Sequence, residues 1–172
     1  MQNVVRLASE IQFDSIVDGE GIRTVIWFQG CPHNCFDCHN PQSHDFNGGF
    51  EILLEDVLAQ TEKLENQSGV TFSGGEPMMQ PDTLLLIAKK VKEQGMNVWC
   101  WSGFTFEELL KMSEKKHIYL ELLAYIDVLV DGKFEYDKKS LNAKFRGSTN
   151  QRILDVPESL EKKKAIVIEK YQ

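Results

Sequence analysis

The sequence predicts an α/β fold in which parallel strands alternate with helices. Three observations carry this. Short runs dense in β-branched and aromatic residues recur along the chain. The stretches between them repeat their apolar residues at helical spacing. Most runs end in a segment bearing Gly, Asp or Pro, where a chain leaves a strand for a loop. Such alternation implies parallel strands joined by crossover helices.

Taken in order, Ile22 to Phe28 is the first core strand. Leu53 to Leu64 is a helix, with Leu54, Val57, Leu58, Thr61 and Leu64 along one face. Val70 to Ser73 is the second strand. Pro81 to Gln94 is a helix that Pro81 opens and Gly95 ends. Asn97 to Trp101 is the third strand, and Thr105-Phe106-Glu107-Glu108 is a capping box that starts another helix. Ile118 to Tyr125 forms a short helix and Ile126 to Val130 the fourth buried strand. Arg152 to Val156 and Ala165 to Ile168 are further strand candidates, and Lys162-Lys163-Lys164 is a solvated helix end or turn.

Length and composition fit one enzyme-sized domain, residues 1–172, with 42% hydrophobic and 26% charged residues. The net charge of −7 argues against a nucleic-acid surface, which needs a basic stripe. No apolar run approaches a membrane span. Met1 to Asn3 shows no basic segment leading into an apolar one, so no signal peptide is expected. Free thiols without a leader point to a reducing cytoplasm.

Three of the cysteines sit together as Cys31-x3-Cys35-x2-Cys38, directly after the first core strand. A curled loop with these gaps can place its sulfurs around a small inorganic cluster, and Gly30 and Pro32 suit the bend. A cluster of four irons would keep one iron without a protein ligand, and open metal positions are where chemistry happens. The same cysteines, with His33 or His39, would also serve a structural zinc site. Cys100 lies within an apolar strand between Trp99 and Trp101 and is expected to pack there. His44 and His117 lack metal-ligand spacing, while Met78, Met79 and the three tryptophans read as core or pocket wall.

The second strand runs into Gly74-Gly75-Glu76-Pro77. Two glycines permit close backbone approach, and Glu76 offers an acceptor to a ligand ammonium. With the cysteine spacing, this segment resembles the cluster loop and cofactor segment of the radical S-adenosylmethionine enzymes. Asp18-Gly19-Glu20-Gly21-Ile22-Arg23 is similar to a segment of the activators of glycyl radical enzymes. Phe145-Arg146-Gly147-Ser148-Thr149-Asn150-Gln151-Arg152 resembles the late segment of those that act on anaerobic ribonucleotide reductase, and Trp101-Ser102-Gly103-Phe104 and Asp131-Gly132-Lys133-Phe134 fit the same group.

The resemblance implies a partial, open parallel (β/α) barrel with its functional loops at the strand carboxyl ends. It implies a [4Fe–4S] cluster on Cys31, Cys35 and Cys38, with S-adenosylmethionine held near Asp37, Cys38, His39, Gly74, Gly75 and Glu76. A branched side chain at Gly75 is then expected to weaken the cofactor while the cluster still forms. An external one-electron donor would drive cleavage to methionine and a 5′-deoxyadenosyl radical, which takes hydrogen from a glycine of the reductase large subunit. Activation of a pyruvate formate-lyase type enzyme, or a non-catalytic zinc-binding adaptor, remains as an alternative. Two departures stand out: Asp37 occupies a position where many of these enzymes carry an aromatic residue, and Glu20 replaces a common proline. Asp131 and Lys133 read equally as cofactor contacts or a solvated turn.

Overall fold

The computed structural model describes residues 3–172. Met1 and Gln2, part of the stretch that lacks a leader pattern, lie outside the described residues. The strands are β1 (Val4–Leu7), β2 (Gln12–Ser15), β3 (Arg23–Phe28), β4 (Phe50–Leu53), β5 (Gly69–Gly74), β6 (Asn97–Ser102), β7 (Val128–Asp131) and β8 (Arg152–Asp155). The α-helices are α1 (Leu54–Glu62), α2 (Pro81–Glu93), α3 (Phe106–Lys115), α4 (Ile118–Ala124) and α5 (Val156–Lys162). All eight strands join one sheet, in the order β4-β1-β3-β5-β6-β7-β8, with β2 paired to β3 beside that path.

The four runs read from sequence, β3, β5, β6 and β7, are parallel and adjacent. They form an incomplete, open (β/α) barrel. The sheet as a whole is mixed, because β1, β2, β4 and β8 pair antiparallel at its margins. Parallel alternation describes only the centre. Ala165 to Ile168 is not a strand: it touches β8 through one bridge, Leu154 with Val167, and through two backbone bonds, Asp155 N–H to Ile166 O and Ile168 N–H to Ile153 O.

Alternation along the strands sorts the side chains. Ile26, Phe28, Val70, Phe72, Val98, Cys100 and Leu129 join the main core with the helices. The helices pack in series, α1 on α2, α2 on α4, and α4 on both α3 and α5. Trp99, Val130 and Ile153 belong to a separate aromatic-rich cluster with Tyr171, against which Trp101, Val128 and Phe145 pack. That cluster occupies the concave side, where Trp27, Ser73 and Trp101 also border a cavity. Cys100 is therefore buried on the helix side and cannot join the loop cysteines. Met78 is core, but Met79 is exposed. Among the described residues, no helix is long and apolar enough to cross a membrane.

Candidate functional site

The loops after β3, β5, β6 and β7 converge on one cavity of about 490 Å³. Cys31, His33, Cys35, Cys38 and His39 enter it from the first loop, and Ser73, Gly74 and Gly75 from the second. Ser102, Gly103, Gly132 and Lys133 come from the other two. Phe145, Arg146, Gly147 and Gln151 close it from the segment ahead of β8, and Val17 and Asp18 from the loop ahead of β3. This is the carboxyl-end face that parallel folds use for ligands.

The cysteine loop is anchored at its root. Gly30 N–H donates to Ser43 O at 2.7 Å, Cys31 N–H to His44 O at 3.1 Å, and Glu76 N–H to Gly30 O at 2.8 Å. All four cysteines are free. Burial pushes the Cys31 thiol up to about 11 and raises that of Cys35 as well. A metal binding there must displace these protons, so uptake releases them. Among the described residues, no three His, Cys, Asp or Glu side chains converge as ligands of a single ion. Three half-buried thiols spread around a cavity suit a multi-iron cluster, whose corners lie apart. His33, one nitrogen donor that a zinc site would recruit, has its Nε2 2.7 Å from Glu76 Oε2.

The glycine pair is crowded by the chain itself. Gly74 has φ +106°, and a β-carbon there would stand 2.5 Å from Phe28 N. A β-carbon on Gly75 would stand 2.5 Å from Gly30 O and 2.8 Å from Ser43 O. These glycines let the second loop press against the root of the cysteine loop, in addition to any ligand approach. Glu76, offered from sequence to an ammonium, does not border the cavity: it is fully buried beneath it. Asp37 also lies outside the lining, exposed, with its carboxylate 3.6 Å from Lys139 Nζ. Cys38, His39, Gly74 and Gly75 do border the cavity.

The remaining motifs build the walls. Arg23 is fully buried and donates to neutral acceptors: Thr71 Oγ1 at 2.8 Å, Glu20 O at 3.0 Å and Val70 O at 3.1 Å. Its guanidinium carbon lies 5.4 Å from the Trp99 ring centroid, and burial depresses its pKa to about 10. It thereby braces the loop that brings Val17 and Asp18 to the cavity. Glu20 turns outward to Lys170 at 3.0 Å and to the Tyr171 hydroxyl. Asp131 is buried under Arg152, at 2.6 Å, and accepts from Phe106 N–H at 2.7 Å, whereas Lys133 borders the cavity. In the late segment, Gln151 accepts from Gly147 N–H at 2.9 Å and donates to Gly132 O at 3.0 Å, and Phe145 O accepts from Trp101 Nε1 at 3.0 Å. Sequence reasoning named Arg146 and Gln151 only as parts of a motif and gave His33 no partner other than zinc. Their longer bonds, His33 to Glu76 across 43 positions, Arg146 to Tyr171 across 25 and Gln151 to Gly132 across 19, span separations that no local pattern reports.

Comparison with known proteins agrees with this geometry. Residues 17–154 match the family model described as a 4Fe-4S single cluster domain. The chain is 34% identical over 148 residues to the anaerobic ribonucleoside-triphosphate reductase-activating protein of Haemophilus influenzae, covering 80% of this chain and 90% of that protein. Identity with the Escherichia coli protein of the same name is 32% over 144 residues, covering 79% and 90%. The pyruvate formate-lyase-activating enzyme of Clostridium pasteurianum is 40% identical over 113 residues, which span 60% of this chain and 48% of that one. Among solved structures, QueE from Escherichia coli shares the fold with a TM-score of 0.51 at 18% identity, over 59% of this chain and 53% of that one. The chain belongs to the family of anaerobic ribonucleoside-triphosphate reductase-activating proteins.

Proposed function

We propose that the protein activates an anaerobic ribonucleotide reductase by generating a glycyl radical on its large subunit. One observation carries the reading: the three loop thiols and the glycine pair border the same strand-end cavity. When bound, a [4Fe–4S] cluster and S-adenosylmethionine supply the one-electron cleavage and the hydrogen abstraction. The chain supplies the placement. Cys31, Cys35 and Cys38 would hold the cluster, and Gly74, Gly75 and His39 flank the space beside it. Trp27, Trp101 and Phe145 wall that space with apolar surface that limits water. No side chain is needed as a general acid or base. The electron comes from an external one-electron donor, and the half-open barrel leaves a way in for a segment of a partner protein.

The test is anaerobic reconstitution with iron and sulfide, followed by reduction with S-adenosylmethionine and the reductase large subunit. The expected product is a glycyl radical seen as a doublet in electron paramagnetic resonance, because the electron couples to the one remaining α-hydrogen. Deuterium at that carbon should collapse the doublet and appear in 5′-deoxyadenosine. The match to the pyruvate formate-lyase-activating enzyme names the competing partner. A radical formed only on pyruvate formate-lyase would move the assignment there, and a colourless zinc protein would end it.

A further inference from the structure

We propose that His33 and Glu76 form a positioning pair that holds the cysteine loop in register with the strand ends, so that Glu76 serves the cofactor site through the loop and makes no contact with the cofactor. The inference rests on the functional reading above and assigns a role to two residues within it.

The Glu76 carboxylate has 0% exposure. Its Oε1 accepts from Ser102 Oγ at 2.9 Å and from Met78 N–H at 3.1 Å. Its Oε2 accepts from Gly103 N–H at 2.7 Å and lies 2.7 Å from His33 Nε2. A carboxylate has about four acceptor positions. All four are engaged, and none faces the cavity. An ammonium could reach this group only by breaking a buried hydrogen bond and leaving its partner unsatisfied.

His33 is fitted as closely. Its side chain is 6% exposed, and its ring meets Phe104 edge-on at 4.5 Å. A β-carbon on Gly103 would stand 2.5 Å from His33 Nε2, so glycine at 103 opens the slot the ring fills. His33 lies midway between Cys31 and Cys35. Beyond the anchored root, the loop passes through two left-handed residues, Asn34 and Asp37, and one internal backbone bond from Cys38 N–H to Cys35 O. The His33 side chain ties this stretch into the sheet. One buried carboxylate thus joins the loops after β3, β5 and β6. A ligand-bearing loop held this way keeps its sulfurs placed relative to the glycine pair, and losing such support elsewhere costs about 10- to 100-fold in metal affinity or activity.

The experiment uses the full chain with His33→Ala, His33→Gln, Glu76→Gln and the double variant His33→Ala/Glu76→Gln. Circular dichroism and melting confirm folding. Hydrogen exchange at residues 31–38 is read on the metal-free protein. Affinity for S-adenosylmethionine, and its effect on the cluster's paramagnetic resonance, are read on the reconstituted protein. His33→Ala and Glu76→Gln should each speed loop exchange and weaken S-adenosylmethionine by about tenfold or more. The double variant should be no worse than either single one. His33→Gln, which keeps a donor near the Nε2 position, should recover most of both signals, and it carries the test if His33→Ala does not fold. The proposal is overturned if Glu76→Gln weakens cofactor binding while His33→Ala changes neither signal, because Glu76 then acts directly. Multiplying effects in the double variant, or no recovery in His33→Gln, overturn it too. Wild-type protein that takes up neither iron nor S-adenosylmethionine refutes the functional reading instead, and loop exchange then still decides whether the pair holds the loop.

Discussion

Asn34 and Asp37 hold left-handed backbones, φ 50° and 56°, each one residue ahead of a cysteine. Apart from glycine, Asn and Asp adopt this region most readily. The acid at position 37, where similar enzymes often carry an aromatic residue, thus has a conformational reason: it turns the chain just before Cys38. Asp37→Val is expected to destabilise the protein by about 1–2 kcal/mol, while Asp37→Gly should leave stability unchanged or slightly higher. Urea unfolding measures both, and equal midpoints would remove the backbone argument. Gly75 gives a second prediction. From sequence, a side chain there obstructs the cofactor alone. The backbone oxygens of Gly30 and Ser43 crowd that position, and Gly30 immediately precedes Cys31. Gly75→Val should therefore lower iron content together with cofactor affinity, as iron analysis after reconstitution will show. Full iron loading with lost affinity would restore the simpler reading.

At the level of elements, one arginine fastens three. Arg152 opens β8 and pairs with Asp131 at the end of β7 and with Glu107 on α3. The Asp131 side chain is 1% exposed, so Arg152→Ala strands a buried carboxylate and should cost about 3 kcal/mol. Glu107 is held below its ordinary value of 4.5, first by the hydrogen bond from Arg152. A depressed carboxyl contributes stability above its unfolded pKa and loses it as pH falls through the lower folded value. The gap in melting temperature between wild type and Arg152→Ala should therefore narrow below pH 4.5, and a gap constant to pH 3 would exclude this linkage. This level also shows what the sequence made legible. The strands β3, β5, β6 and β7 are apolar runs largely buried on both faces, so composition alone located them within a residue or two. β2 and β4 are four-residue margins, mostly exposed, with no apolar alternation to detect. α5 went unread, with Val156 assigned to a strand, although Asp155 accepts from Glu158 N–H at 2.9 Å as the helix cap. Cysteines and glycines marked the site because their spacing is local. The bond between His33 and Glu76 crosses 43 positions, and no periodicity encodes it.

Across the whole molecule, the sheet keeps an apolar face for its helices and an aromatic, half-open face for its chemistry. Such a sheet ends in two margins, and an uncovered margin is a template on which another chain can add a strand. The residues around Val167 lie along the outer side of β8, where Ile168 N–H reaches Ile153 O at 2.8 Å and Asp155 N–H reaches Ile166 O at 2.9 Å. That segment, expected from sequence to be a strand, acts as a strip that seals one margin without offering a further one. Ile168→Pro deletes one of its donors and should loosen the strip. The variant should then self-associate with rising concentration in sedimentation runs where the native chain does not, and unchanged sedimentation would show that β8 stays covered without that bond. With that strip in place, the β8 margin offers no open edge for a second copy to extend.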